Sequence, residues 1–94
     1  MSATTSFALV DALGIAVRKA RQRQRWSQED LAAQAHVNRS YLGEIERGQT
    51  VISVVTLEKV ARALEVSPSG LVAAAEAEIR HFDIHCLRLS AFAV

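Results

Sequence analysis

A group of hydrogen-bonding side chains lies within residues 27–48, SQEDLAAQAHVNRSYLGEIERG: Arg39, Ser40, Tyr41 and Glu44. Helical spacing places Leu42 and Ile45 on the opposite face of the same short segment. The polar side chains must then point outward, Tyr41 only in part. An arginine on such a face can donate two hydrogen bonds to guanine or neutralise a phosphate, and a glutamate can accept from a cytosine amino group.

A second feature is a run of cations, RKARQRQR at residues 18–25, with five basic side chains and no acid. The whole chain of 94 residues has a formal net charge of only +1, so positive charge is concentrated here. Such a run is either the solvated face of a helix or a patch that faces phosphates. Its cations are Arg18, Lys19, Arg21, Arg23 and Arg25.

His81, His85 and the single Cys86 are the residues that could bind a metal ion or act as a nucleophile. Two or three ligands with no fourth in view are a weak zinc signal, and nothing around Cys86 forms a catalytic constellation. We therefore expect no metal, no cofactor and no enzymatic activity. A small metal-dependent enzyme is the least favoured of three functions considered.

Compartment and membrane contact can also be judged from the sequence. A single cysteine excludes an internal disulfide framework and suits a reducing cytoplasm. No uninterrupted apolar run approaches the ~20 residues that a membrane-spanning helix needs. The first residues have no cationic segment before their apolar stretch, which makes a poor secretory signal. We expect a cytoplasmic protein without membrane contact.

The elements that position these side chains are predicted to be helices throughout, because Ala, Leu, Glu, Gln and Arg are plentiful. Apolar periodicity predicts one helix over residues 7–24 and a short one over 39–47. Further helices begin at three start signals, Ser27, Ser53 and the pair Ser67-Pro68. Asn38 is a cap for the 39–47 helix, and Gly48 suits its left-handed end. The fold class is all-α, with five helices in one compact unit.

Several segments together resemble the phage-repressor-like (XRE-like) helix-turn-helix regulators, which include the Cro proteins and the controller proteins of restriction–modification systems. The similarity is carried by LGIAVRKAR, WSQEDLA, YLGEIERG and TLEKVARALEVSPSGL, over roughly residues 13–72. The resemblance implies a transcription regulator that binds double-stranded DNA. It would read a palindromic operator as a homodimer, with the recognition helix 39–47 in the major groove.

The resemblance also implies roles for particular residues. The DNA-binding set would be Ser27, Gln28, Asn38, Arg39, Ser40, Tyr41, Glu44, Arg47 and Gln49. Gln28 would hold a phosphate, and Arg39, Ser40 and Glu44 would face base edges. Glu44 could instead orient Arg39. Asn38 and Tyr41 would contact phosphate, sugar or a thymine methyl group, and Arg47 and Gln49 the backbone. Arg21 and Glu46 would form a structural pair.

The chain departs from the family pattern in the turn and in the following loop. His36 stands where glycine is usual, and histidine adopts the left-handed conformation at a cost. The loop after Gly48 reads QTVISVV, in which Val51 and Ile52 suit a subunit contact better than a phosphate contact.

The C-terminal residues carry a seven-residue apolar repeat: Val72, Ala75, Ile79, Phe82, Cys86, Leu89 and Ala93. We assign residues 1–78 to the DNA-binding domain and 79–94 to a helical tail that pairs two subunits. A frayed terminus, or a helix folded back on its own domain, stays open. The alternative function is an antitoxin-like or other protein-interaction module, with a protein partner such as a toxin or RNA polymerase.

Overall fold

The computed structural model describes the backbone of residues 8–93 and the side chains of residues 8–82, and the regular secondary structure of this part is entirely α-helical. Its helices are α1 (Leu9–Arg23), α2 (Gln28–Ala35), α3 (Arg39–Glu46), α4 (Val54–Ala63) and α5 (Pro68–Ala93). The all-α prediction is confirmed. Among the described residues, no helix has the length and apolar character that crossing a bilayer requires.

The predicted capping residues set where three of the helices begin. The Ser27 hydroxyl accepts from the Asp30 N–H at 3.0 Å, and the Asp30 carboxylate accepts from the Ser27 N–H at 2.8 Å, which forms a capping box. Asn38 and Ser53 each accept from the backbone N–H three residues on, at 3.1 and 3.0 Å. Each such cap contributes about 1 kcal/mol. These three cap predictions are confirmed.

Four helices end in the same left-handed turn, at residues Arg25, His36, Gly48 and Glu65, with φ of 60°, 58°, 71° and 60°. In each turn the next N–H donates to the carbonyl five residues back, as from Val37 to Ala32 at 3.0 Å. This is the Schellman arrangement, which satisfies carbonyls that the helix leaves free. The sequence indicated His36 and Gly48 but gave no signal for Arg25 or Glu65.

The core lies where α1 meets the other helices. Of the apolar residues at helical spacing along α1, Leu13, Val17 and Ala20 are buried, whereas Val10 is only half-buried. Further buried apolar residues come from α2 to α4 and the turn after α4: Leu31, Ala32, Ala35, Leu42, Ile45, Val60, Ala61 and Leu64. Val37 and Leu57 are partly buried against this cluster. One core therefore holds all five helices together.

Helix α5 runs without a break across residues 78 and 79, where the sequence suggested a boundary. Ala75 is buried, and Val72 and Ile79 pack partly buried against the core. The first three positions of the apolar repeat therefore pack against the chain's own domain, as in the folded-back helix that the sequence left open. Phe82 is 37% exposed, and Cys86, Leu89 and Ala93 lie outside the side chains that the structure describes.

Candidate nucleic-acid interface

The outer face of α3 is exposed and polar, because its inner face is committed to the core. Leu42 and Ile45 are buried, and the small buried residues Ala32 and Ala35 let α2 lie close beside them. The side chains left on the outside include most of those predicted from the sequence: Asn38, Arg39, Ser40, Glu44, Arg47 and Gln49. Ser27 is also exposed, while Gln28 and Tyr41 are half-buried.

Arg39 has a loose carboxylate partner on the neighbouring helix. Its Nε lies 3.8 Å from Oε2 of Glu29, and both side chains are largely exposed. Exposed pairs of this kind contribute little and exchange readily for another anion. Within the described residues Arg39 pairs with Glu29 rather than Glu44, so the structure does not show the orienting role considered for Glu44.

The Tyr41 hydroxyl is directed to the loop that follows α3. It donates to the Val51 carbonyl at 3.3 Å and accepts from the Ser53 N–H at 3.4 Å. The sequence interpretation placed Tyr41 beside sugar, phosphate or a thymine methyl group. In the structure its hydroxyl holds the loop close to α3, and its ring stays half-buried.

Arg21 of α1 and Glu46 of α3 form the structural pair that the resemblance implied. Arg21 donates from Nε to Oε2 at 2.7 Å and from Nη2 to Oε1 at 3.0 Å. Its Nη1 donates to the Trp26 carbonyl at 2.8 Å. The side chains are 12% and 2% exposed. Hydrogen bonding to Glu46 raises the pKa of Arg21 despite the opposing effect of burial, so the guanidinium stays charged at every pH near neutrality.

Gln28 belongs to the same network. Its Nε2 donates to Oε1 of Glu46 at 3.0 Å, which gives this oxygen a second donor besides Arg21. The sequence interpretation assigned this side-chain amide to a phosphate. In the structure the amide joins the start of α2 to the end of α3, so a phosphate contact would require it to share or leave Glu46.

The basic run of residues 18–25 does not form a single patch. Lys19 pairs with Glu78 of α5 at 2.6 Å, and Arg21 is used by Glu46. Arg18 lines a pocket beside Arg47, whereas Arg23 lines a groove on the α5 side. The cations of the run therefore do not share one face, because successive helical positions point in different directions.

Arg47 and Gln49 follow the exposed face of α3. Arg47 donates from Nε to the Gln49 side-chain carbonyl at 3.1 Å, and both side chains are exposed. This places a cation and an amide together at the end of α3.

The described residues contain no group of three histidine, cysteine, aspartate or glutamate side chains that could hold a metal ion. His81 is exposed, and the side chains of His85 and Cys86 lie outside the described part.

The short helices α2 and α3, with a tight left-handed turn between them and the polar face of α3 outward, define a helix-turn-helix domain. Residues 17–71 match the helix-turn-helix family, and the chain belongs to it. The chain is 38% identical over 60 residues to control protein C.BamHI of Bacillus amyloliquefaciens, a match that covers 63% of this chain and 74% of that protein.

Two solved structures resemble most of the fold. The clp gene regulator ClgR from Corynebacterium glutamicum superposes with a TM-score of 0.79 at 27% identity, over 92% of this chain and 94% of that one. The restriction–modification controller protein C.Esp1396I, in its tetramer with a natural 35-base-pair operator, gives a TM-score of 0.69 at 30% identity. That match covers 76% of this chain and 93% of the other.

Proposed function

We propose that this chain is a sequence-specific DNA-binding transcription regulator that acts in the cytoplasm and reads base edges with the outer face of α3. One observation carries the proposal. Arg39, Ser40 and Glu44 stand exposed on a helix whose other face is fixed in the core. A side chain can discriminate between bases only if its backbone is held in place, and the Asn38 cap and the buried Glu46 secure both ends of α3.

Membership of the helix-turn-helix family supports this function, and so do the relatives. A control protein, a clp gene regulator and a controller protein bound to its operator share the fold. The roles of Arg39 and Glu44 as base-reading residues follow from their place on α3. Arginine suits guanine, and glutamate suits the cytosine amino group.

The proposal includes a homodimer that reads a palindrome. One short helix contacts too few bases for selectivity, whereas two that are related by a two-fold axis read major grooves ~34 Å apart. The controller protein that binds its operator as a tetramer supports an assembly of this kind.

An exposed valine face offers the surface for pairing. Val51, Val54 and Val55 are 71%, 81% and 62% exposed, which is high for large apolar side chains. Val51 and Val54 line an apolar groove of about 200 Å³ together with Leu9, Val10 and Val72. The valine face follows directly after α3, so a second copy seated there would fix the relative position of the two reading helices.

The test is a selection of bound sequences from random duplexes at two salt concentrations. We expect an enriched palindrome and affinity that falls with salt, because phosphate contacts release counterions. Salt weakens contacts to phosphates, so a base preference that persists at high salt comes from contacts to base edges and separates base reading from phosphate binding. Absence of any enriched sequence, with no salt-sensitive retention of DNA, would exclude the proposed function.

The valine face also favours a second function, a protein-interaction module of the antitoxin type. If the natural occupant of Val51 and Val54 is a different protein, the chain purified without that protein should be monomeric. Light scattering discriminates between the two functions, since the regulator is expected to be a dimer on its own. A monomer that forms a one-to-one complex with another protein and retains no DNA would favour the interaction module.

A further inference from the structure

A polar pocket lies where α1, the start of α2 and the end of α3 meet. It has a volume of about 230 Å³ and is lined by Arg18, Arg21, Gln28, Glu46 and Arg47. Three guanidinium groups and one carboxylate line it, which gives a net charge of +2. Because Arg21 and Glu46 are paired with each other, the excess charge belongs to Arg18 and Arg47.

Neither of these two cations is neutralised by an acid in the part of the chain that the structure describes. The ion pairs formed there use Lys19, Arg21, Arg39 and Arg62. Arg47 donates only to the uncharged amide of Gln49. Both Arg18 and Arg47 are exposed. Two free guanidinium groups on one pocket are suited to an anion with several oxygens, such as a phosphate.

The floor of the pocket is rigid. Glu46 accepts from Arg21 on α1 and from Gln28 on α2, so three helices are joined beneath the opening. The pocket therefore keeps a fixed position relative to the reading face of α3. Contacts to the DNA backbone fix the register of a reading helix on the duplex.

We propose that this pocket binds one backbone phosphate of DNA, with Arg18 and Arg47 as its ligands. The inference rests on the proposed function and adds a DNA ligand from α1 that the sequence interpretation did not single out. Arg21 of the same basic run also lines this pocket, but it is paired with Glu46, so Arg18 is the cation of the run that remains available to an anion there.

Arg23 provides a matched control on the same helix. It is exposed like Arg18, but it lines a different groove with Ala20, Val66 and Leu71, toward α5. Arg18→Gln and Arg23→Gln remove the same charge from the same helix. Any effect of net charge alone is therefore common to both variants, and only a contact at the pocket separates them.

The experiment combines phosphate-ethylation interference with a salt titration on the duplex selected by the wild-type chain. In the wild type, ethylation of the phosphate held by the pocket should interfere with binding, and we expect Arg18→Gln to lose this interference at one phosphate for each bound chain. The slope of log affinity against log salt concentration should fall in magnitude by about 0.9 per chain. Arg47→Gln should lose the same phosphate. Arg23→Gln should keep the full pattern, and base preference should stay unchanged in all three variants.

The proposal is overturned if Arg18→Gln keeps every interfering phosphate, or if Arg18→Gln and Arg23→Gln lose equal salt slope. The pocket could instead bind a free anion with the same phosphate chemistry. This alternative is tested by thermal unfolding of the protein with inorganic phosphate and no DNA. Stabilisation of the wild type but not of Arg18→Gln, with an unchanged interference pattern, would assign the pocket to a free anion and overturn the DNA contact.

Failure of the proposed function has a different signature. The wild-type chain would then enrich no sequence and retain no DNA, which removes the phosphate contact together with the regulator. If only the pocket proposal is wrong, the wild-type chain still enriches a palindrome, and the Arg18→Gln variant binds that palindrome as the wild type does. Because Arg18 forms no ion pair among the described residues, its glutamine variant should unfold at the wild-type denaturant concentration.

Discussion

Gly14 of α1 lies directly against the backbone of α3 at Ile45. A Cβ atom at position 14 would be 2.3 Å from the Ile45 carbonyl oxygen and 3.0 Å from that of Glu46. The absence of a side chain therefore lets α1 approach the end of α3. This contact and the Arg21–Glu46 pair fix α3 from the same side.

Gly14→Ala is expected to destabilise the fold by about 1–3 kcal/mol, because the obstacle is backbone and cannot rotate away. Gly43→Ala on α3 is the control, since its nearest neighbour is the mobile Arg47 guanidinium at 3.1 Å. That change should be neutral or gain up to ~1 kcal/mol from helix propensity. Urea unfolding of both variants measures the difference, and equal stabilities would contradict the close approach.

Glu46→Gln should cost about 3–5 kcal/mol, since it leaves the buried Arg21 charge without an anionic partner. The control is Glu58→Gln, whose partner Arg62 is exposed and lies 3.3 Å away. Exposed pairs of this kind contribute less than ~1 kcal/mol. Replacing Arg21 and Glu46 together by Met and Leu should recover most of the loss. If Glu46→Gln were as stable as Glu58→Gln, the Arg21–Glu46 pair would not be a major contributor to the free energy of unfolding.

His36→Gly should stabilise the protein by about 0.5–1 kcal/mol, because a left-handed conformation is strained for histidine and not for glycine. Gly48→Ala tests the converse. Its new Cβ would lie 2.4 Å from Oδ1 of Asp11 at φ 71°, so a loss of stability is expected. Denaturant midpoints of the two variants should move in opposite directions, and a fall for His36→Gly would mean that the imidazole makes a compensating contact.

Local signals in the sequence predicted the caps and the exposed polar face of α3, and tertiary contacts explain what was missed. Ser27 and Asn38 act on the backbone three residues away, so their roles are visible in a short stretch. The Gln28 amide donates to Glu46, which is 18 residues distant, and no periodicity indicates that contact. Likewise, Arg18 and Arg23 differ only in which neighbouring helix each one faces, and that depends on how α1 packs.

Val54→Lys should weaken the proposed homodimer by about thirtyfold or more, since a charge in the centre of an apolar contact costs ~2 kcal/mol or more. Val66→Lys is the control, because Val66 is an exposed valine that lines grooves away from the valine face. Sedimentation equilibrium across a concentration series measures both. A dimer that survives Val54→Lys would place the pairing surface elsewhere, and Phe82→Lys would then test the later positions of the apolar repeat.

Arg39→Ala should cost about 1–3 kcal/mol on the selected sequence and relax preference at one base pair in each half-site, because two hydrogen bonds to a base edge are lost. The loose partner Glu29, 3.8 Å away, leaves Arg39 free to make those bonds. Arg62→Ala removes a similarly exposed guanidinium from α4 and should change neither affinity nor preference. Repeating the selection with both variants measures specificity directly. If the Arg39→Ala chain enriched the same bases at every position, the reading face would have to lie elsewhere on the domain.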